Sequence, residues 1–310
     1  MSFVALTGGV GGAKLALGLT HLLPADELTF IVNTGDDFRQ LGLHDSPDLD
    51  TLMYNQSGLS NEETGWGRRG ESWNCLESYG ALGGETWFNL GDRDLAVHLR
   101  RSELLQQGVP LHEVTRRLNS AVGVDVRVLP MTDDAVATRV LCETGELAFQ
   151  HYFVRERCEP VVSGIRFDGA ETAQCAPGVM EALQDPTLAG VLICPSNPYL
   201  SVDPILAVPG LRQALVDCAA PVIAVSPVVG GEAIKGPTTK IMAELGLPLT
   251  ALTVAEHYAD FLDGFIIDLC DEGLLAQSLS MPMVAAQSVM RTLDDKVQLA
   301  QTALAFFERL

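Results

Sequence analysis

Four short apolar runs, at residues 3–6, 28–32, 191–194 and 222–226, each stop abruptly at glycine, proline or small polar residues. Apolar runs this short, bounded by such breakers, read as strands. After the first run, residues 13–23 set Leu15, Leu19 and Leu22 at helical spacing before the second run begins. The pattern returns at 191–226, with a helix expected over 211–219 between the strands. It predicts an α/β chain with a doubly wound, mostly parallel sheet. Residues 265–268 read as a later strand, and 292–310 as a terminal helix carrying Val297, Ala300, Leu304 and Phe307 on one face. Ligands of open parallel sheets bind beyond the carboxyl ends of the strands. The four loops are therefore expected to meet in one cleft.

Between the two α/β stretches the pattern changes. A helix is expected from Asp45-Ser46-Pro47, with Asp45 or Ser46 capping, Pro47 in the first turn, and Leu49, Leu52 and Met53 buried. Residues 58–91 are rich in glycine and tryptophan and weakly periodic. Residues 92–107 and 111–122 read as helices, and 137–141 and 147–154 as a hairpin around Glu143-Thr144-Gly145-Glu146. The expectation is a single domain over 1–310 with an inserted helical and antiparallel subdomain at approximately 92–170.

With 310 residues, 47% of them hydrophobic, the chain can bury a sizeable core. A net charge of −20 repels a polyanion, so nucleic acid is not an expected partner. No basic amphipathic stretch or long apolar segment points to a membrane. An anionic substrate would need local backbone N–H groups, a few basic side chains and a metal. The seven cysteines, without a CxxC pair, fit a reducing compartment. The opening MSFVALTGGVGGAK has no basic region ahead of its short apolar run. The expected location is cytoplasmic.

The first loop is Thr7-Gly8-Gly9-Val10-Gly11-Gly12-Ala13-Lys14, with more glycine than a turn requires. Glycines let a phosphate approach the backbone, and a helix N-terminus favours an anion. The loop matches neither GxxxxGK[ST], since Leu15 follows Lys14, nor a strict GxGxxG. The plain alternative is a tight structural turn. In Asn33-Thr34-Gly35-Asp36-Asp37, the adjacent acids could hold a divalent cation, hydrogen-bond a ribose or serve as a cap. In His44-Asp45-Ser46-Pro47-Asp48-Leu49-Asp50-Thr51, Asp48 suits the first helical turn electrostatically. Asp50 falls deeper, where capping explains it less, and is the candidate functional acid; His44 reads as structural. Gly65-Trp66-Gly67 and Trp87-Phe88-Asn89-Leu90-Gly91-Asp92 could form a platform for a flat ring or part of the core, with Asp92 as a helix cap. Ser196, Asn197 and Ser201 after the third run, and Ser226, Gly230, Gly231 and Lys235 after the fourth, suit a base or a diphosphate. Lys235 would act as a point cation; ordinary βα turns are the alternative.

Taken in order, GGVGGAK, NTGDD, SPDLDT, GWG, FNLGDRDLA, PSNP with the following Ser201, and SPVVGG with IKGP resemble the 2-phospho-L-lactate transferase family of coenzyme F-420 biosynthesis. The resemblance runs from about residue 3 to about residue 240. It implies a Rossmann-like fold, a magnesium ion and a homodimer. It further implies a guanosine diphosphate donor carrying lactate, enolpyruvate or glycerate, and 7,8-didemethyl-8-hydroxy-5-deazariboflavin as acceptor, with GMP released. By the same resemblance, Gly8, Gly9, Gly11, Gly12, Ser196, Asn197, Ser226 and Gly230 would hold the guanosine diphosphate portion, and Thr7, Lys14, Ser201, Gly231 and Lys235 belong to the same donor loops. Asp36 or Asp37 with Asp50 would hold the magnesium. Asp50, Trp87, Asn89 and Asp92 would face the acceptor. Two other readings are open. A non-catalytic nucleotide-sugar-binding regulator of the gluconeogenesis-factor type would share the sheet and the first loop, but lacks SPDLDT and FNLGDRD in this form. An NAD-dependent oxidoreductase rests on the glycine loop alone.

Overall fold

The computed structural model describes residues 1–61, 66–143, 145–276 and 281–310. A seven-stranded sheet runs through it: β1 (Ser2–Thr7), β2 (Leu28–Val32), β3 (Arg127–Pro130), β4 (Leu188–Ile193), β5 (Val222–Val225), β6 (Gly264–Asp268) and β7 (Met283–Ala286). Their order is β7-β6-β5-β4-β1-β2-β3, and every neighbouring pair is parallel. From the other edge this reads 3-2-1-4-5-6 with a seventh strand added. That is the Rossmann-like doubly wound order, with its switch point between β1 and β4.

The unbroken apolar runs follow from burial on both faces. On one face, Ala5, Phe30, Val32, Leu192, Ile223 and Ile266 pack against the helices α1 (Gly9–Thr20) and α5 (Leu293–Phe307) through Leu15, Leu19, Leu299, Ala303 and Phe306. On the other, Val4, Leu6, Ile31, Val191, Ile193 and Phe265 meet a second core that includes Tyr152, Val179, Leu211, Ile241 and Tyr258. Alternate residues of one strand serve alternate cores, as a pleat of period two requires.

The stretch at 92–170 divides about the edge strand β3. Before it lie α3 (Asp92–Gln106) and α4 (Leu111–Ala121), with Leu111 in the first core. After it comes an antiparallel sheet in which Ala137–Cys142 pairs with both Gly145–Ala148 and Val162–Asp168. The tetrapeptide of β3 ends in Pro130 and has too little length or alternation to announce a strand; an edge position tolerates the proline. The strand expected over 147–154 stops at Ala148, and His151–Arg155 forms a wide helical turn. Its aromatic composition suggests β structure, yet Phe149 stacks on Phe153, four residues on, at 5.4 Å, a helical spacing. Thr144 of the hairpin turn and Gly65 of the GWG motif lie outside the described residues. No described helix is long and apolar enough to cross a membrane.

Candidate active site

The helix after the first strand starts at Gly9, four residues earlier than its leucine spacing suggests, so Gly11 and Gly12 are helical. Close approach explains them. A Cβ on Gly12 would run into the Thr7 side chain and the Ser196 hydroxyl, and one on Gly11 into the Pro195 carbonyl. Ser196 ties the β1 and β4 loops together. It accepts from the Gly8 N–H at 3.1 Å and donates to the Gly8 carbonyl at 2.8 Å. The glycines thus let two loops touch across the switch point. Helix geometry leaves the Val10 and Gly11 amides without intrahelical acceptors, and both residues line the cavity that opens there.

This cavity has a volume of about 620 Å³ and is lined by residues from all four loops. Gly8, Gly9, Gly11, Lys14, Asp36, Asp50, Asn89, Ser196, Asn197, Ser201, Ser226 and Lys235, each a candidate from the sequence, line it. Thr7, Gly12, Asp37, Trp87, Asp92, Gly230 and Gly231 do not. Thr7 and Gly12 pack behind the first loop. Gly230 and Gly231, with φ of +60° and +79°, are the turn of a small hairpin between Val228–Val229 and Glu232–Ala233, where positive φ favours glycine. Trp87 meets Phe88 edge-on at 5.7 Å and His151 at 4.9 Å. Asp92 accepts from the Cys75 amide at 3.0 Å and the Ser72 hydroxyl at 2.7 Å, holding the start of the helix Asn74–Ala81 instead of capping its own. Trp66, Phe88, Phe149 and Phe153 give the cavity an aromatic wall.

Acids gather on one side. Pro47 opens α2 (Pro47–Gln56), but the Ser46 hydroxyl, expected as its cap, donates to Asp37 at 2.7 Å. Asp37 also takes His44 Nε2 at 3.0 Å, and both partners oppose the upward push of burial on its carboxyl. Asp48 reaches out of its own helix to α1, accepting from the Gly9 N–H at 2.6 Å, while Asn33 donates to its other oxygen at 3.0 Å. Burial still pushes Asp48 up to about 6. Burial, with Asp48 and Asp37 as neighbours, raises Asp36 well above the usual carboxylate range. Charge of the opposite sign lines the same cavity at Lys14 and Lys235. Burial, then repulsion from Lys235 and Lys296, lowers Lys14, whose Nζ donates to the Met290 carbonyl at 2.9 Å.

Beneath Asp50 lie His98 and Arg101, which fall outside the motifs, together with Asp45 and Asp94, which lie within them without a role at the site being expected. Arg101, 2% exposed, pairs with Asp50 Oδ1, and its Nη1 lies 3.1 Å from His98 Nδ1. His98 lies 3.3 Å from Asp94, 3.6 Å from Asp45 and 3.8 Å from Asp50. Burial disfavours its imidazolium, but Asp45, Asp94 and Asp50 outweigh burial and raise it to about 9. Burial pushes Asp45 up to about 7 against the pull of His98. Asp45, Asp50 and His98 bring ligand atoms within 4.8 Å of one another and could hold a metal ion. With His98 drawn to its cationic form and Arg101 on Asp50, the same geometry works as an ion-pair network. The sequence does carry a signal for it: Asp94, His98 and Arg101 follow at i, i+4 and i+7, interleaved with the buried Val97 and Leu104 of α3.

A family model described as 2-phospho-L-lactate transferase CofD matches residues 3–303. A protein of Streptomyces coelicolor named phosphoenolpyruvate transferase is 41% identical over 318 residues, covering 100% of this chain and 99% of its own length. A protein of Methanosarcina acetivorans named 2-phospho-L-lactate transferase is 37% identical over 307 residues, covering 98% of this chain and 99% of its own. The crystal structure of a UPF0052 family member from Bacillus halodurans superposes with a TM-score of 0.63, covering 98% of each chain at 14% identity. At that identity the likeness is one of fold.

Proposed function

This chain belongs to the 2-phospho-L-lactate transferase CofD family, and we propose that it transfers a phospho-three-carbon-acid group from a guanosine diphosphate donor to 7,8-didemethyl-8-hydroxy-5-deazariboflavin, releasing GMP. It is a transferase of coenzyme F-420 biosynthesis. The observation that carries the finer reading is the make-up of one cavity: buried carboxylates, two lysines and first-turn amides, with an aromatic wall beside them. Lysines and helix amides suit the diphosphate. The aromatic wall suits a flat deazaflavin ring.

Phosphoryl transfer is mostly a matter of positioning and charge neutralisation. In this reading Lys14 and Lys235 offset diphosphate charge, and the Val10 and Gly11 amides donate to its oxygens. Asp50 receives the ribityl hydroxyl of the acceptor, orienting it toward phosphorus or taking its proton. The donor set also fits a hard cation. Asp36 and Asp50 offer oxygen ligands, Asp50 Oδ2 is buried without a hydrogen-bond partner, and burial leaves the Asp36 carboxyl short of compensating charge. These two acids, rather than Asp37 with its His44 and Ser46 partners, would hold magnesium. Bound there, the ion would stabilise charge on the GMP leaving group. A homodimer in the cytoplasm completes the proposal.

The test is to mix the protein with the deazaflavin alcohol, magnesium and each of the lactyl, enolpyruvyl and glyceryl donors in turn, and to follow GMP. The phosphoenolpyruvate transferase relatives make the enolpyruvyl donor the first choice. GMP is expected with at least one donor and is expected to vanish with a chelator. No GMP from any of the three would overturn the assignment.

A further inference from the structure

Asp50 is the acid on which the proposed reaction turns, and its side chain does not stand alone. It projects from the first turn of α2 into the cavity, yet its Oδ1 is taken by Arg101, which rises from the middle of α3. Arg101 is itself fixed. It is 2% exposed, its Nη1 lies 3.1 Å from His98 Nδ1, and His98 Nε2 lies 3.3 Å from Asp94, which accepts from the Tyr54 hydroxyl at 2.5 Å. The chain of contacts returns to α2 at Tyr54, one turn beyond Asp50 on the same helix. A carboxylate on a single turn of helix can swing about two side-chain torsions; one oxygen held by a planar, buried guanidinium cannot.

We propose that Arg101 is a positioning residue: by occupying Asp50 Oδ1 it holds the carboxylate in one orientation at the wall of the cavity. Oδ2 is buried and has no hydrogen-bond partner, although His98 Nδ1 lies 3.8 Å away. The inference rests on the transferase reading and on Asp50 meeting the acceptor. Arg101 does not line the cavity. Its effect should therefore appear in the chemical step and not in donor binding.

The experiment compares the wild-type protein with R101M and R101K. It measures kcat and the KM of donor and acceptor from GMP release, and counts sites by calorimetric titration with GDP. Turnover is expressed per GDP-binding site, so that a smaller folded fraction does not pass for a slower reaction. Misplacing a reacting group by about 1 Å can cost on the order of 100-fold; R101M is expected to lose about that much kcat per site, with donor KM within about threefold. R101K keeps a charge but loses the fork, and is expected to recover about tenfold over R101M. If R101M does not fold, R101K alone decides: a kcat per site at least about tenfold below wild type with an unchanged donor KM supports the proposal. Wild-type kcat per site in either variant overturns it, as does a loss that falls wholly on donor KM. Failure of the transferase reading itself would look different, since the wild-type protein would then release no GMP.

Discussion

At the level of single residues, the acids of the candidate site are buried, and their partners lie on other segments of the chain. Asp48 illustrates how a plain electrostatic reading can point to the wrong helix. Its place in a first turn suits its own macrodipole, but its oxygens go to the Gly9 N–H and to Asn33. A Cβ on Gly8 would stand 2.7 Å from Asp48 Oδ2 and 2.7 Å from the Ser201 Cβ, so this corner has no slack. Asp50 differs, because one of its oxygens remains without a partner. Replacing it by asparagine leaves an amide oxygen for Arg101 and removes the charge. In Asp50→Asn we expect GMP release to fall by about 10²–10⁴-fold, the span of a positioned acid–base group. The variant should melt cooperatively. Turnover near that of the wild type would take Asp50 out of the chemistry.

Secondary-structure elements meet through small residues as much as through large ones. In α1, Gly18 faces the terminal helix, and a Cβ there would overlap the backbone carbonyl of Lys296. Two effects of Gly18→Ala oppose each other. Alanine is the better helix former by about 1 kcal/mol, while overpacking a tight contact costs about 1–3 kcal/mol. Here the contact is with backbone, which cannot swing aside, so the steric cost should win. Urea unfolding should show a lower midpoint for Gly18→Ala; an equal or higher midpoint would show that the helices can part at little cost. The ends of helices depend on neighbours in the same way. Asp92 and Ser46 both stand where a cap of their own helix is expected, and both give their side chains to a neighbouring segment. Capping signals in a sequence mark polar residues near helix ends, but not which groups those residues bind.

For the molecule as a whole, the contrast is between a strongly negative chain and a cavity proposed to take a nucleotide diphosphate. A charge of −20 gives no long-range attraction for that ligand, so affinity must come from the local lysines, helix amides and a cation. Ligand that binds only the folded state at 100 times its dissociation constant adds about 2.7 kcal/mol of stability. GDP with magnesium should therefore raise the thermal midpoint, and a chelator should remove most of the gain. An unchanged midpoint at millimolar GDP would mean that the lysines do not form a nucleotide site. The sequence by itself determined the doubly wound sheet, the four loops at its edge and the family. These are written in local patterns: unbroken apolar runs report burial on both faces, and loop composition follows the strand ends that carry it. Only the tertiary structure decided what lies under Asp50, why Gly8, Gly11 and Gly12 have no side chains, and which strands close the sheet at β3 and β7. Those features depend on segments far apart in the chain coming within a few ångströms of each other, and no periodicity within one segment records the shape of its neighbour.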